Sequence, residues 1–228
     1  MFEDFEQRFG PKSVADIVFA SEESRQLIDD LIVDARPFPV TEGMCGVLLY
    51  GVPGTGKSAL AKLLPDAIEQ ARIGSTANER YERVQPGNNG LKMIQSIGDQ
   101  AMFMPLGRYH YFVLDEVDEL SKEAMSILKS VMNTPRTVWI LTTNRFTAIE
   151  AGVKDRCHCI PFNAAPAVNW LPLARRILKH AGVAGVTDEQ LCAVIAPCNG
   201  SARQITNAIV ALALKVHRAN SDLVSSVI

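Results

Sequence analysis

The chain has 228 residues, 47% hydrophobic and 21% charged, which is enough to bury one large domain or a core with a small satellite and too apolar for a disordered chain. No apolar run approaches the roughly 20 residues of a membrane span, and the opening MFEDFEQRFG is acidic, without the basic-then-apolar layout of a secretory signal, so a cytoplasmic chain is expected. The formal net charge of -2 excludes a uniformly basic nucleic-acid coat but is unevenly spread: residues 1–42 hold 10 acids and 4 bases, residues 43–228 hold 15 acids and 19 bases, so a polyanion would meet the later part.

In chain order, residues 5–19 (FEQRFGPKSVADIVF) form a mixed segment that Gly10 and Pro11 make irregular. Ser21 is placed to cap a helix running to about Val33, with Glu23 and Ser24 in its first turn and Leu27, Ile28, Leu31 and Ile32 as its apolar stripe, before ARPFPV at 35–40 breaks it. CGVLLY at 45–50 reads as a short buried strand, apolar, with β-branched Val47 and a glycine directly after it. GVPGTGKSAL follows, and then a helix over 57–71 in which Leu60, Leu63, Leu64, Ala67 and Ile68 recur at helical spacing, while Pro65 predicts a kink or an early stop. Residues 72–90 are polar and turn-rich, with a short strand expected at Ile73, and LKMIQSIGDQAMF at 91–103 is a helix with Leu91, Ile94 and Ile97 on one side.

Tyr111 to Leu114 is a second buried strand that delivers Asp115 and Glu116 at its C-terminal end, the edge of an open parallel sheet at which ligands bind. Ser121 caps a helix carrying Ala124, Ile127, Leu128, Val131 and Met132 on one face. TVWILTTN at 137–144 is a buried strand ending in polar Thr142, Thr143 and Asn144, and CHCIPF at 157–162 is a weaker one. This alternation predicts an α/β domain with a doubly wound parallel sheet over residues 1–162. From Asn163 onward only helices are expected, within 167–183, 187–198 and 201–219, which marks a small helical domain over 163–228. Five cysteines in a chain with no secretory signal argue against a disulfide framework, and the spacing of Cys157, Cys159, Cys192 and Cys198 does not match the C-x₂-C pairs of a zinc site.

A strand, a glycine-rich turn and a helix N-terminus together make an anion site, because successive backbone N–H groups point inward and the helix dipole adds partial positive charge. Gly51, Gly56, Lys57 and Ser58 match G-x-x-x-x-G-K-[ST], in which the lysine reaches the β and γ phosphates of a nucleoside triphosphate and the hydroxyl binds Mg²⁺. The candidate nucleotide-binding residues are thus Gly51, Pro53, Gly54, Thr55, Gly56, Lys57, Ser58 and Ala59, with Ser58 and Asp115 on the metal. Phosphoryl transfer to water also needs a group that orients the water and positive charge for the transition state. Glu116, one residue beyond the metal-side acid, is free to polarise water, and Asn144 to hold that water or the γ-phosphate. The plainer alternatives are a strand-terminal pair capping the next helix for Asp115 and Glu116, and a turn residue for Asn144.

The order GVPGTGKS, VLDEVDEL, ILTTN, KDRC and GSARQ resembles the AAA+ superfamily of P-loop NTPases, and within it the clamp-loader ATPases of the replication factor C small-subunit type. The resemblance covers nearly the whole chain and implies a P-loop NTPase sheet followed by a small helical lid domain, with ATP hydrolysis in DNA replication as the activity. RFGPKSVADIVF resembles the segment that wraps the adenine and brings in Val18. Arg156 in KDRC takes the place of the arginine finger that reaches a γ-phosphate held by a neighbouring subunit, and Arg203 in GSARQ matches the sensor arginine that closes the lid on bound nucleotide. Both join Lys57, Glu116 and Asn144 as candidate catalytic residues. A finger acting between subunits implies a homo- or hetero-oligomeric ring or arc, and the resemblance adds a sliding clamp and primed DNA as partners.

The chain departs from the family at three points. Asp155 precedes Arg156 and Cys157 where the family has serine. The chain ends shortly after the lid, where clamp loaders usually continue into a collar, so a compact phage- or plasmid-type loader or a fragment is expected. In the stretch that in clamp loaders contributes to primer-template binding, here residues 72–92, Arg72, Arg80, Arg83 and Lys92 are mixed with Glu79 and Glu82, a modest basic footprint. Two further readings stay open: an AAA+ remodeller or helicase loader, and a nucleotide-gated scaffold with slow hydrolysis, against which the intact Lys57, Asp115 and Glu116 argue.

Overall fold

Strands β1 (Gly46–Tyr50), β3 (His110–Asp115) and β4 (Thr137–Thr143) are buried along almost their whole length, which requires helices on both faces of the sheet they form. The computed structural model, which describes residues 9–225, shows that arrangement; the first part of the irregular segment, 5–8, lies outside the described residues. With β2 (Asn78–Arg83) and β5 (Cys157–Pro161) the strands make a five-stranded, wholly parallel sheet in the order β2-β3-β4-β1-β5. Alternate residues of each strand divide between two cores. Val47, Leu49, Val113 and Ile140 face α1 (Glu22–Ile32) and α2 (Lys57–Ile73); Leu48, Phe112, Leu114 and Trp139 face α3 (Leu91–Ala101), α4 (Lys122–Val131) and the short α5 (Ala151–Lys154). Helices α6 (Leu171–His180), α7 (Asp188–Ile195) and α8 (Ala202–Ser225) enclose a third core, which Phe9 from the N-terminal segment also enters. Among the described residues no helix is long and apolar enough to cross a membrane.

Ser21 caps α1 as expected, accepting from the Ser24 N–H at 3.4 Å. Of the kink or early stop expected at Pro65, the early stop does not occur: helix α2 runs through Pro65 to Ile73. An interior proline costs about 3 kcal/mol, but burying side chains such as Leu60, Leu64 and Ile68 contributes about 2 kcal/mol each, so the packed face outweighs the lost hydrogen bond. Ile73 is therefore helical, and the strand lies five residues later in the polar NERYER. β2 is an edge strand with a single partner, β3, so it needs no continuous apolar run.

Two buried side chains of α2 anchor neighbouring loops. Arg72, with a side chain only 2% exposed, donates to the carbonyls of Leu31, Ile32 and Phe38, which removes it from any basic surface. Glu69, fully buried, accepts from the Arg108 N–H and the Tyr111 hydroxyl, both at 2.7 Å. A side chain at Gly107 would put its Cβ 2.3 Å from Glu69 Oε1, so the loop entering β3 needs glycine there. Glu69→Ala leaves the buried Tyr111 hydroxyl and the part-buried Arg108 N–H without their partner and is expected to cost about 3 kcal/mol of stability, read by urea denaturation; a change below half of that would show that water replaces the carboxylate.

Candidate functional site

Because all five strands are parallel, the residues that follow β1, β3 and β4 emerge along one edge of the sheet. The turn after β1 takes positive φ at Gly51 (143°), Gly54 (82°) and Gly56 (105°), angles that residues with a Cβ rarely adopt. Space adds a second restriction: a Cβ at Gly51 would lie 2.4 Å from the Phe162 carbonyl oxygen, and one at Gly54 would lie 2.6 Å from Ser201 Oγ. Thr55 Oγ1 donates to the carbonyls of Val52 and Phe162, and the Ala202 N–H donates to the Gly54 carbonyl at 2.8 Å, so the loop is tied both to β5 and to the first turn of α8. It opens directly onto the first turn of α2, whose N–H groups have no partner within the helix.

Lys57 is 6% exposed, and its ammonium donates to the carbonyls of Gly51 at 2.9 Å and Val52 at 2.7 Å. Burial pulls its pKa below the ordinary lysine value, partly offset by Asp115 and Asp118. Ser58 Oγ donates to Asp115 Oδ1 at 2.8 Å, Thr142 Oγ1 donates to the same oxygen at 2.5 Å, and the Tyr81 hydroxyl donates to Oδ2 at 2.9 Å. Burial and then the Asp115 charge push the Tyr81 phenol up, which keeps it a donor. A hydroxyl and a carboxylate this close are hard oxygen donors beside an anion-binding loop, a set that fits Mg²⁺ accompanying a phosphate ligand.

Glu116 has left-handed backbone (φ 63°), and its N–H donates to Thr142 Oγ1 at 3.0 Å. Its carboxylate accepts from Arg83 at the end of β2, from Nη2 at 3.1 Å and Nε at 3.3 Å. Asp118 is held by Thr143 Oγ1 and Arg145 Nε at 2.8 and 2.9 Å; burial would raise its pKa, but these donors outweigh burial and lower it.

Lys57, Ser58, Arg83, Glu116 and Thr142 line a cleft of about 750 Å³ between the sheet edge, the N-terminal segment and the helical part. Of the residues singled out from the sequence, Val18, Pro53, Gly54, Thr55, Gly56, Lys57, Ser58, Ala59, Glu116, Asn144 and Arg203 line it, while Gly51 and Asp115 touch it through Lys57 and Ser58. Arg156 does not. It sits at the opposite end of β1, where its carbonyl accepts from Cys45 and Gly46 and its guanidinium donates to Asn133 Oδ1 at 2.8 Å and Gly152 O at 2.7 Å. Sequence reasoning missed Tyr81 and the pairing of Arg83 with Glu116, and also a latch across the cleft in which Arg176 of α6 donates to Asp16 and to the Phe9 carbonyl. The only signal for the β2 pair was an alternating Tyr-x-Arg in a polar stretch.

The parallel sheet with helices on both faces, the glycine loop over a helix N-terminus and the acidic end of the neighbouring strand define a P-loop nucleotide-binding fold. Residues 47–162, more than half of the chain, match the AAA family, described as ATPases associated with various cellular activities, and the chain belongs to that family. In sequence it is similar to replication factor C small subunit 2 of Pyrobaculum islandicum, 24% identical over 223 residues, covering 96% of this chain and 66% of the relative. It is similar also to replication factor C subunit 4 of Schizosaccharomyces pombe, 27% identical over 192 residues, covering 79% of this chain and 55% of the relative. The chain thus spans less than two thirds of the length of these relatives. In structure it is similar to the Thermotoga maritima RuvB Holliday junction branch migration motor, with a TM-score of 0.66 and 17% identity over 94% of this chain and 67% of that one, a likeness of fold.

Proposed function

We propose that the chain is an ATP-hydrolysing subunit of an oligomeric clamp loader in DNA replication, with residues 1–162 as its nucleotide-binding domain and 163–228 as its lid. The observation that carries this reading is the convergence of Lys57, Ser58, Asp115 and Glu116 on one cleft that Arg203 lines from the helical side. Ser58 and Asp115 would hold Mg²⁺, which supplies charge neutralisation at the phosphates. Lys57 exchanges the loop carbonyls for phosphate oxygens, the residues around Val18 enclose the base, and Glu116 takes the proton of the attacking water. Glu116 must first leave Arg83, so an anion that draws Arg83 away speeds hydrolysis; a DNA backbone phosphate is such an anion. Arg156, remote from its own cleft, acts on a neighbour's. The exposed side chains Met102, Phe103, Met104 and Leu106 offer a clamp an apolar contact.

The test is the ATP hydrolysis rate per subunit across protein concentration, with and without primed DNA. The expected rate rises steeply with concentration and rises further with primed DNA. A slow rate, flat in concentration and indifferent to DNA, overturns the loader reading in favour of a nucleotide-gated scaffold.

A further inference from the structure

Asp115 is 5% exposed, and each of its carboxylate oxygens is held. Oδ1 receives two hydroxyls, from Ser58 beside it in the phosphate loop and from Thr142 on β4. Oδ2 receives one, from Tyr81, which comes from a different strand, the edge strand β2. An aspartate rotates broadly about its last side-chain bond, so anchors on both oxygens fix the carboxylate plane where an anchor on one oxygen leaves it free to tilt. The Tyr81 ring is itself held: it packs on the core beneath α2, and the Lys62 ammonium lies 4.4 Å from its centroid, one helical turn beyond Ser58. A lysine or arginine in this place would fix Oδ2 equally well but would neutralise it. A phenol donates one hydrogen bond and leaves the negative charge for a cation.

We infer that Tyr81 is a positioning residue for the metal site: by donating to Asp115 Oδ2 from β2, it presets the carboxylate for the divalent cation that accompanies the nucleotide. The inference rests on the nucleotide reading proposed above. It also explains why a tyrosine stands in an otherwise polar strand, NERYER, where ring burial alone would be served by phenylalanine or leucine. Partners that orient a metal ligand are typically worth about 10- to 100-fold in metal affinity.

The test compares the wild-type chain with Tyr81→Phe, which keeps the ring and its packing. ADP affinity is measured in EDTA, and Mn²⁺ binding to the ADP complex is followed by electron paramagnetic resonance, so neither readout depends on turnover. The expected result is an Mn²⁺ dissociation constant raised by about 10-fold or more, with ADP affinity in EDTA unchanged. An Mn²⁺ dissociation constant equal to that of the wild type overturns the inference while leaving the nucleotide reading standing, and so does an equal loss of ADP affinity with and without metal, which would make Tyr81 a general packing residue. If the wild-type chain binds no Mn²⁺ with ADP, the nucleotide–metal reading fails and the inference fails with it.

Discussion

Exchanging Glu116 for glutamine is expected to lower ATP turnover about 10³-fold and to leave ATP binding intact, trapping an ATP-bound assembly. A positioned general base is worth about 10²- to 10⁴-fold, and glutamine keeps the size and the hydrogen-bonding reach of glutamate while losing the basic oxygen. The backbone supports this role: Glu116 stands in left-handed conformation with its N–H fixed on Thr142, and its carboxylate is paired with Arg83. Phosphate release in a single turnover, set beside binding of a fluorescent ATP analogue, measures both halves of the prediction. Unchanged turnover would remove Glu116 from the chemistry and leave Asn144 as the candidate for orienting the water.

Arg156→Ala is expected to lower turnover by about 10³-fold, the scale of a lost arginine finger, with nucleotide affinity in the isolated subunit little changed. The reason is distance. β1 separates the Cys45 end, where Arg156 is tied, from the glycine loop, and its five residues span roughly 16 Å, beyond what one side chain bridges. A direct contact of Arg156 with a γ-phosphate would therefore be made on a second subunit. Mixing Arg156→Ala with Lys57→Ala checks this directly, since a mixed interface pairs an intact Lys57 cleft with an intact Arg156. Partial recovery of activity is the expected outcome, and a mixture as inactive as either variant alone would show that Arg156 does not act across an interface.

The residues legible in the sequence share one property: their chemistry is written in adjacent positions. The glycine loop with Lys57 and Ser58, the strand that ends in Asp115 and Glu116, and the strand that ends in Thr142 to Asn144 are each continuous segments, and each stands where it was expected. β2 was not legible because an edge strand is half exposed and NERYER lacks an apolar pattern. The early stop allowed for at Pro65 does not occur because local propensity costs about 3 kcal/mol whereas the packing that overrides it is tertiary.

By itself the sequence determined the class of fold, the phosphate loop and the acids beside it, since turn geometry, strand burial and helix dipoles act over a few consecutive residues. Only the tertiary structure decided what those acids touch. Tyr81 and Arg83 reach Asp115 and Glu116 because β2 pairs with β3 in the register that sets Arg83 opposite Asp115. Arg176 meets Asp16 across 160 residues of chain because the helical part folds back over the N-terminal segment. Hydrogen bonds and ion pairs act over a few ångströms, and only the packed chain determines which residues come that close.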